Sequence, residues 1–207
     1  MTSLSLRNGA TQTLRLASFG LVQSVMAGTA LFCSLAALRC AQGDVVSNCL
    51  GAIVNTVAFM HYQRLYPAFA KGENVITIRF SDWLATLPLM VFELHSALKA
   101  PLLSAVPGAF ASAIMVVSGF WATPFAPSAT KIALVVMSFV CLAVVYGLGA
   151  LQFGDDTTSN VIVSIFAGVW TAYGLVFLPN GDSDVAFNVL DVVSKCGLAL
   201  TVAVRSL

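Results

Sequence analysis

Residues 185–204 read Val-Ala-Phe-Asn-Val-Leu-Asp-Val-Val-Ser-Lys-Cys-Gly-Leu-Ala-Leu-Thr-Val-Ala-Val, an apolar run with Lys195 near its middle. About 20 such residues cross the hydrocarbon core of a bilayer as one helix. A lysine about ten residues from either end cannot reach the headgroups, so the protein must give it a partner or a chemical use. Asp191 lies on the same helix face, about 6 Å along the axis. Lys195 is therefore either half of a structural Lys195–Asp191 pair or a lysine that carries a covalent group.

The composition of the whole chain is that of an integral membrane protein. Of the 207 residues, 58% are hydrophobic and 9% are charged, and the mean hydropathy is +0.91. These values exclude a soluble two-domain protein. The formal net charge of +1, without basic blocks or a Gly-rich phosphate loop, argues against a nucleic-acid partner. The five cysteines are scattered without CxxC spacing, so we predict neither a disulfide framework nor a metal site.

Seven apolar segments are each long enough to cross a membrane. The breaks between them are short and rich in Gly, Pro, Asp and Asn, which makes consecutive helices antiparallel neighbours. We therefore predict an all-α membrane protein, a bundle of seven transmembrane helices that forms a single domain over residues 1–207. The predicted spans are residues 14–38, 46–62, 76–98, 102–121, 132–153, 161–178 and 185–204.

The basic residues outside the span centres bear on the orientation of the bundle. Seven spans place the termini on opposite sides, and by a small margin the N-terminal side is the more basic. The positive-inside rule alone then favours a cytoplasmic N-terminus. The N-terminal side carries Arg7, Arg15, Arg64, Lys71 and Lys131, and the other side carries Arg39, Lys99 and Arg205.

The third span carries a line of polar residues. Arg79, Asp82, Thr86 and Glu93 are spaced by three, four and seven, so at about 100° per residue they share one helix face. On a membrane helix such a face is either polar packing between helices or a functional polar file.

The charges of these residues balance those of the seventh span. If Lys195 and Arg79 meet Asp82 and Asp191, the buried cluster is neutral. Glu93 stands outside this balance, about 16 Å along the axis from Asp82. A lone carboxyl in an apolar span is expected to be protonated near neutral pH, because burial disfavours its charged form.

Two motifs carry a family resemblance. The third span contains Arg79-x-x-Asp82-Trp-x-x-Thr-x-Pro-Leu, and the seventh contains Leu-Asp191-Val-x-x-Lys195-x-Gly. Together they resemble the microbial rhodopsins, seven-helix proteins that hold all-trans-retinal as a Schiff base on a lysine. The resemblance implies that Lys195 is the retinal lysine, Asp82 the primary proton acceptor and counter-ion, and Asp191 the second counter-ion. It also implies that Arg79 is the extracellular charge that moves with the proton.

Asp82, Thr86 and Glu93 match the set found in proteorhodopsin-type outward proton pumps, in which Glu93 would be the cytoplasmic proton donor. In the second span, Ala-Phe-Met-His61-Tyr resembles the segment whose histidine bonds the counter-ion. His61 is either that histidine or an interfacial histidine near a helix end.

An aromatic stripe on the sixth span has two interpretations. Trp170, Tyr173 and Phe177 share one helix face and predict either core packing or a cofactor wall. The resemblance favours the wall, because Trp170 and Tyr173 match the retinal pocket. The other pocket positions that it implies are Trp83, Thr86, Met90, Met115, Gly119, Cys141, Val144 and Ser194.

Some pocket positions depart from the family pattern. Gly174 stands where proline is usual, which changes the expected bend of the sixth helix, and Phe177 replaces a common tryptophan. Ser194, where alanine is common, adds a dipole that should shift the colour to the blue, whereas Met90 favours green. The absorption maximum therefore stays open.

The function implied by the resemblance is a light-driven outward proton pump, an ion transporter and not an enzyme. The alternatives are a photosensory rhodopsin that signals to a transducer and, with less support, a light-gated channel. The implied setting is the plasma membrane with the N-terminus outside, as a trimer to hexamer in the lipid bilayer, with protons as cargo. The loop before the seventh span offers Asp182 and Asp184 but no glutamate pair, so early proton release is not expected.

Overall fold

Long apolar segments form seven helices. The computed structural model describes residues 3–123, 128–153, 156–177 and 184–207, with side chains from residue 12 onward. Short 3-10 turns, Gln42–Asp44 and Leu102–Ala105, precede the second and fourth helices, and the described ranges contain no strand. The predicted all-α seven-helix architecture is confirmed. The helices are α1 Ser3–Ala37, α2 Val45–Ala70, α3 Ile76–Ala97, α4 Val106–Ala122, α5 Ala129–Phe153, α6 Thr157–Phe177 and α7 Asp184–Ser206.

The helices form a ring in chain order. Each helix packs against the next one, and α7 closes the ring against α1 and α2. Short links between consecutive helices make them antiparallel. One link is tied to another on the same side of the bundle: the Lys99 ammonium, after α3, contacts the Asp44 carboxylate and the Gly43 carbonyl before α2. This topology brings the middles of α1, α2, α3 and α7 together.

Within the described ranges, six helices are long and apolar enough to cross a membrane, and α3 is not among them. The reason is that α3 contains Arg79, Asp82 and Glu93, each of which is buried inside the bundle. Its neighbours in the ring, α2 and α4, both qualify as spans, so α3 crosses with them. Large apolar side chains such as Ile132, Val136 and Leu151 of α5 remain exposed and face the lipid.

Among the helix ends that differ from the prediction, two are set by capping. Helix α2 runs two turns past residue 62, through Pro67, and ends where Gly72 takes a φ of 75°. There the Glu73 amide donates to the Ala68 carbonyl over 2.9 Å, which closes the helix in the left-handed manner that glycine permits. Helix α6 begins before residue 161, because the Asp156 carboxylate accepts the Ser159 amide over 2.9 Å.

Helix α7 is interrupted around its lysine. Residues Asp184–Asp191 and Gly197–Ser206 are α-helical, but the five residues Val192–Cys196 form a π-helical turn. Such a turn widens the helix locally and is frequent at functional sites. Lys195 lies inside it.

The cap of α6 generates a prediction about acid stability. The Ser159 hydroxyl and then the Ser159 amide donate to Asp156 and hold its pKa below the ordinary value. A depressed pKa means that the charged cap stabilises the fold above the ordinary aspartate pKa and that this contribution is lost as the pH falls through the folded-state value. We expect Asp156→Ala to lower the unfolding temperature slightly near neutral pH, and the difference from wild type to vanish in acid.

The measurement is thermal unfolding in detergent at several pH values. Asp156→Asn is the matched control, because it keeps an oxygen acceptor but no charge, and it should lose less than Asp156→Ala. A difference from wild type that is constant with pH would contradict the capping argument.

Candidate functional site

Lys195 lies between two carboxylates in the middle of the bundle. Its Nζ atom contacts Asp82 Oδ2 of α3 and lies 3.1 Å from Asp191 Oδ1, four residues earlier on α7. All three side chains are fully buried. A buried ammonium is tolerated only with such partners, because removing each ion from water costs on the order of several kcal/mol.

Asp191 is surrounded by hydrogen-bond donors. Its Oδ1 atom accepts Trp83 Nε1 over 3.1 Å and the Tyr173 hydroxyl over 2.7 Å. Its Oδ2 atom accepts the Tyr62 hydroxyl over 2.7 Å. With Lys195 added, Asp191 has donors from α2, α3, α6 and α7, so its ionised form is well stabilised.

Asp82 has fewer partners. Its Oδ1 atom makes no hydrogen bond within the described residues, and the Thr86 hydroxyl donates to the Asp82 backbone carbonyl over 2.8 Å instead of to the carboxylate. His61 Nδ1 lies 3.8 Å from Asp82 Oδ1, beyond hydrogen-bond length, and is 2.9 Å from the Val57 carbonyl. His61 is therefore near the carboxylate without bonding it, and its role as a counter-ion partner stays a prediction.

Arg79 connects this cluster to the end of α7. One guanidinium nitrogen lies 3.7 Å from Asp191 Oδ2. The other is 3.1 Å from Asn188 Oδ1 and 3.3 Å from Asp184 Oδ1, whose side chain is 19% exposed. The expected meeting of two cations and two carboxylates is realised, and Asp184 adds a third carboxylate toward the surface. Asp182 lies outside the described residues.

Asn188 is the hub of the Arg79 contacts. Its carbonyl oxygen accepts both Arg79 and the Tyr62 hydroxyl, the latter over 2.9 Å, and its amide donates to the Ser18 hydroxyl over 2.8 Å. Asn188 thus joins α1, α2 and α3 to α7.

Glu93 lies apart, toward the other side of the membrane. It is fully buried, and neither carboxyl oxygen has a hydrogen-bond partner in the part of the chain that the structure describes. A side chain at Gly51 would begin 2.8 Å from Glu93 Oε1 and 3.1 Å from the Ala199 methyl group. Only glycine at position 51 leaves room for this carboxyl.

An apolar cavity of about 80 Å³ lies beside the cluster. Trp83 and Tyr173, two of the donors to Asp191, form its wall nearest Lys195. The ring of Phe139 enters from α5, and a side chain at Gly174 would begin only 2.5 Å from that ring. The glycine that replaces the usual proline thus makes room for Phe139. The lining residues are Phe80, Trp83, Leu87, Met115, Val116, Gly119, Ser138, Phe139, Leu142, Trp170, Tyr173, Gly174 and Phe177.

The structure brings six of the predicted pocket positions together in this lining: Trp83, Met115, Gly119, Trp170, Tyr173 and Phe177. Two positions on α5 need correction. Cys141 is buried but does not line the cavity, and Val144 is 44% exposed on the outer face. Ser138, Phe139 and Leu142 take their place, because they share the inward face of α5 while Val144 points about 170° away from it.

Three further positions lie next to the lining. Met90 is buried in the apolar cluster that contains Trp170. The Ser194 hydroxyl is 3.0 Å from the Tyr173 hydroxyl. Thr86 is fully buried on α3, between Asp82 and Glu93.

These residues fit retinal. The lining is almost entirely aromatic or aliphatic, as an apolar polyene requires. Trp83 and Tyr173 line the cavity and also donate to Asp191, which places the cavity next to the partners of Lys195. Asp82 and Asp191 would balance a positive charge on the attached nitrogen.

The sequence interpretation did not assign roles to Tyr62, Asn188, Asn55 or the pairing of Arg79 with Asp184. Tyr62 and Asn188 lie on the buried faces of their helices. An asparagine inside an apolar span could have indicated a functional residue from the sequence. Their partners are far apart in the chain, as for Tyr62 and Asp191, so spacing within one helix does not reveal them.

The structure is a seven-helix membrane bundle with a buried lysine between two carboxylates, next to an aromatic cavity. The chain belongs to the bacteriorhodopsin-like protein family, whose sequence profile matches residues 14–205. This family binds retinal, and it is one of light-driven transporters and not of classical enzymes. The predicted resemblance to microbial rhodopsins is confirmed. No curated protein sequence matches the chain.

Solved structures share the fold at low sequence identity. The chain is similar to xanthorhodopsin, a light-driven ion pump with dual chromophore, with a TM-score of 0.84 and 20% identity over 95% of both chains. It is similar to blue light-absorbing proteorhodopsin from Med12, with a TM-score of 0.78 and 18% identity over 93% of this chain and 96% of the other. It is also similar to the proton pumping rhodopsin AR2 from the marine alga Acetabularia acetabulum, with a TM-score of 0.80 and 17% identity over 92% of this chain and 93% of the other.

The Asn188 hub generates a prediction about stability. Asn188→Leu keeps the volume but removes the acceptor of one Arg79 nitrogen, which then retains only its 3.3 Å contact with Asp184, and the amide that donates to the Ser18 hydroxyl. Losing hydrogen bonds to a buried charged group costs about 1 to 3 kcal/mol, so we expect the free energy of unfolding to fall by about that amount.

Ser18→Ala is the control, because it removes only the far partner of Asn188 and should cost less. The measurement is unfolding in detergent followed by helical circular dichroism. Equal losses in the two variants would show that the contact with Arg79 is not the important one.

Proposed function

We propose that the protein is a light-driven outward proton pump that holds retinal on Lys195. The observation that carries this proposal is the placement of two different carboxyls on α3, on opposite sides of the Lys195 nitrogen. Asp82 contacts that nitrogen, and Glu93 lies about 16 Å along α3 from Asp82, toward the other membrane surface.

The surroundings of the two counter-ions support different roles. Protonation of Asp191 would disrupt its bonds from Tyr62, Trp83 and Tyr173. Asp82 has a free oxygen and accepts a hydrogen bond from Lys195 alone among the described side chains. Asp82 is therefore the carboxylate that takes the proton, and Asp191 remains ionised.

The remaining residues direct the proton in one direction. Retinal held on Lys195 would supply absorption of light and isomerisation beside Asp82. Asp82 receives the proton while the nitrogen still faces the Arg79 side. Arg79 then moves its positive charge between Asp191 and Asp184 and favours departure of the proton toward the partly exposed Asp184. Glu93, protonated because it is buried without a partner, returns a proton to the nitrogen.

The direction of transport follows from the orientation. Asp82 and Asp184 lie on the side of the N-terminus, and Glu93 lies on the side of the C-terminus. Outward pumping thus requires the N-terminus outside, in the orientation that the resemblance implies and against the small basic excess on that side. We place the protein in the plasma membrane in this orientation, as one domain and as a trimer to hexamer.

A photosensory rhodopsin is the second candidate. It would use the same cavity, with Lys195 and Asp82 in the same positions, but it has no need of a carboxylic proton donor. Glu93, a buried protonated carboxyl without a hydrogen-bond partner among the described residues, favours the pump because unsatisfied buried polar groups lower stability. A light-gated channel would need a continuous hydrated path, and the described buried face of α1 is largely apolar.

The pump is tested by illumination of cells that express the protein with all-trans-retinal. We expect the external medium to acidify in light and a protonophore to abolish the change. Lys195→Ala is the control, and it should give a folded, colourless protein without any light response. Illumination of the coloured wild type without any change in external pH would reject the pump in favour of a sensor.

The donor role of Glu93 generates a separate kinetic prediction. Glu93→Gln keeps the shape but has no proton to give, so return of the proton to the Lys195 nitrogen should slow by about two orders of magnitude or more, the gain ascribed to a positioned acid. The return should also slow as pH rises in the variant, because its proton then comes from solvent.

The measurement is flash spectroscopy, at several pH values, of the state in which the Lys195 nitrogen is deprotonated. Azide should accelerate the decay of this deprotonated state in the variant. Infrared spectra should lose a carboxyl band in Glu93→Gln. Equal decay rates in wild type and Glu93→Gln would show that Glu93 is a packing residue and not the proton donor.

A further inference from the structure

The proton that leaves Glu93 has a long way to travel inside the bundle. The distance from Glu93 to the region of Asp82 can be estimated along α2, because Gly51 faces Glu93 and His61 lies beside Asp82. These positions are ten residues apart, about 15 Å along the helix. Direct transfer over such a gap is impossible, since a proton moves only between groups within hydrogen-bond reach, about 3 Å.

One polar side chain of α2 lies inside this gap. Asn55 is fully buried, one helical turn from Gly51. Its amide donates to the Gly51 carbonyl over 2.9 Å, and its oxygen accepts the Cys196 thiol over 3.1 Å. Cys196 follows Lys195 directly in the π-helical turn. A chain of contacts therefore runs from the residue beside Lys195, through Asn55, to the glycine that faces Glu93.

The opposite side of the gap is apolar. There Met90 of α3, Trp170 of α6 and Leu198 of α7 belong to one buried hydrophobic cluster. Two other buried hydroxyls lie near this depth: Thr86 of α3 bonds to the carbonyl of its own helix, and Thr29 of α1 bonds to Cys196. The polar link toward Glu93 lies on the α2–α7 side of the gap. An asparagine in an apolar helix is costly unless it serves a purpose, and here it bonds across to α7.

We propose that Asn55 and Cys196 are positioning residues that define the return path of the proton, from Glu93 to the Lys195 nitrogen, along the interface of α2 and α7. The inference rests on the proposed role of Glu93 as donor. One proton leaves a Glu93 carboxyl oxygen, passes through water molecules that enter transiently, and arrives at the nitrogen. Asn55 and Cys196 keep their protons throughout, and they orient the water through the amide oxygen and the thiol.

The path also links return of the proton to the shape of α7. Motion of the nitrogen shifts the π-helical turn, and the Cys196 thiol moves with it. When this thiol releases the Asn55 oxygen, that oxygen becomes free to accept a hydrogen bond from water. The polar link is thus closed in the dark and opens only after light has moved Lys195.

The test uses flash spectroscopy of the full-length pigment in lipid vesicles. Asn55→Leu and Cys196→Ala each remove one half of the link, and we expect the decay of the deprotonated state to slow by about tenfold or more, as for loss of a group that guides proton transfer. Cys196→Ser restores a donor of similar size and should recover most of the rate. Deprotonation of the nitrogen, which involves Asp82, should keep its speed in all three variants.

Asn48→Leu is the matched control. Asn48 is also a buried asparagine of α2 that bonds to α7, through the Ser206 hydroxyl over 2.9 Å, but it lies outside the gap. Its replacement should leave the decay unchanged. An infrared S–H stretching band, absent in Cys196→Ala, should shift toward a weaker hydrogen bond during the deprotonated state, and in Asn55→Leu it should already be shifted in the dark.

The possible results separate this inference from the proposed function. If Glu93→Gln slows the decay while Asn55→Leu and Cys196→Ala match wild type, the donor stands and the path is wrong. If Asn48→Leu slows it equally, the effect is general loosening of α2 and the path is also wrong. If Glu93→Gln has no effect on the decay, both the proposed function and the proposed path are rejected. Should Asn55→Leu fail to fold, the pair Cys196→Ala and Cys196→Ser decides.

Discussion

The contact of the Lys195 ammonium with the carboxylates of Asp82 and Asp191 is the constraint on which the rest of the structure depends. Unpaired, each of these ions would cost several kcal/mol in an apolar bundle, on the order of the desolvation penalty of a buried charge. The charges must therefore meet, and their meeting fixes how α3 and α7 face each other. Donors to Asp191 from Tyr62 and Tyr173 extend the same constraint to α2 and α6.

The two carboxylates are not equivalent, although both touch the lysine. Asp191 is held in its ionised form by three neutral donors besides the lysine, whereas Asp82 keeps one oxygen without a partner. This difference in hydrogen bonding is the basis of the different roles that we propose for the two carboxylates. The Arg79 guanidinium, shared by Asp191, Asn188 and Asp184, offers a charge that can move without leaving polar partners.

The two halves of the bundle differ in the same way. Between Lys195 and the N-terminal side, polar contacts are nearly continuous from Asp191 through Arg79 to the partly exposed Asp184. Between Lys195 and the C-terminal side, the described polar groups are sparse, and the Glu93 carboxyl has no partner. A half with connected polar groups and a half with few of them is the asymmetry that the proposed one-way proton path needs. Gly51 and Gly174 have no side chain, and each therefore leaves space for a neighbouring one, Glu93 and Phe139 respectively.

Much of this protein could be predicted from the sequence. Apolar length alone determined the helices, and the spacing of Arg79, Asp82, Thr86 and Glu93 determined that they share a face, because both properties are local to one helix. Charge balance favoured a meeting of Lys195 and Arg79 with Asp82 and Asp191, and the structure shows Lys195 in contact with both carboxylates. Helix ends at Gly72 and Asp156 were less predictable, because caps and not apolarity set them.

Contacts between helices are what only the tertiary structure decided. Asn188 and Tyr62 reach Arg79 and Asp191 across more than a hundred residues of chain, and no period within one helix encodes such a meeting. The inward face of α5 was misassigned to Cys141 and Val144, because a helix that is apolar all round has no polar face to mark its orientation. The sequence by itself determined which groups must be buried together. The packing of seven helices decided which of them touch, since the rotation of each helix depends on all its neighbours at once.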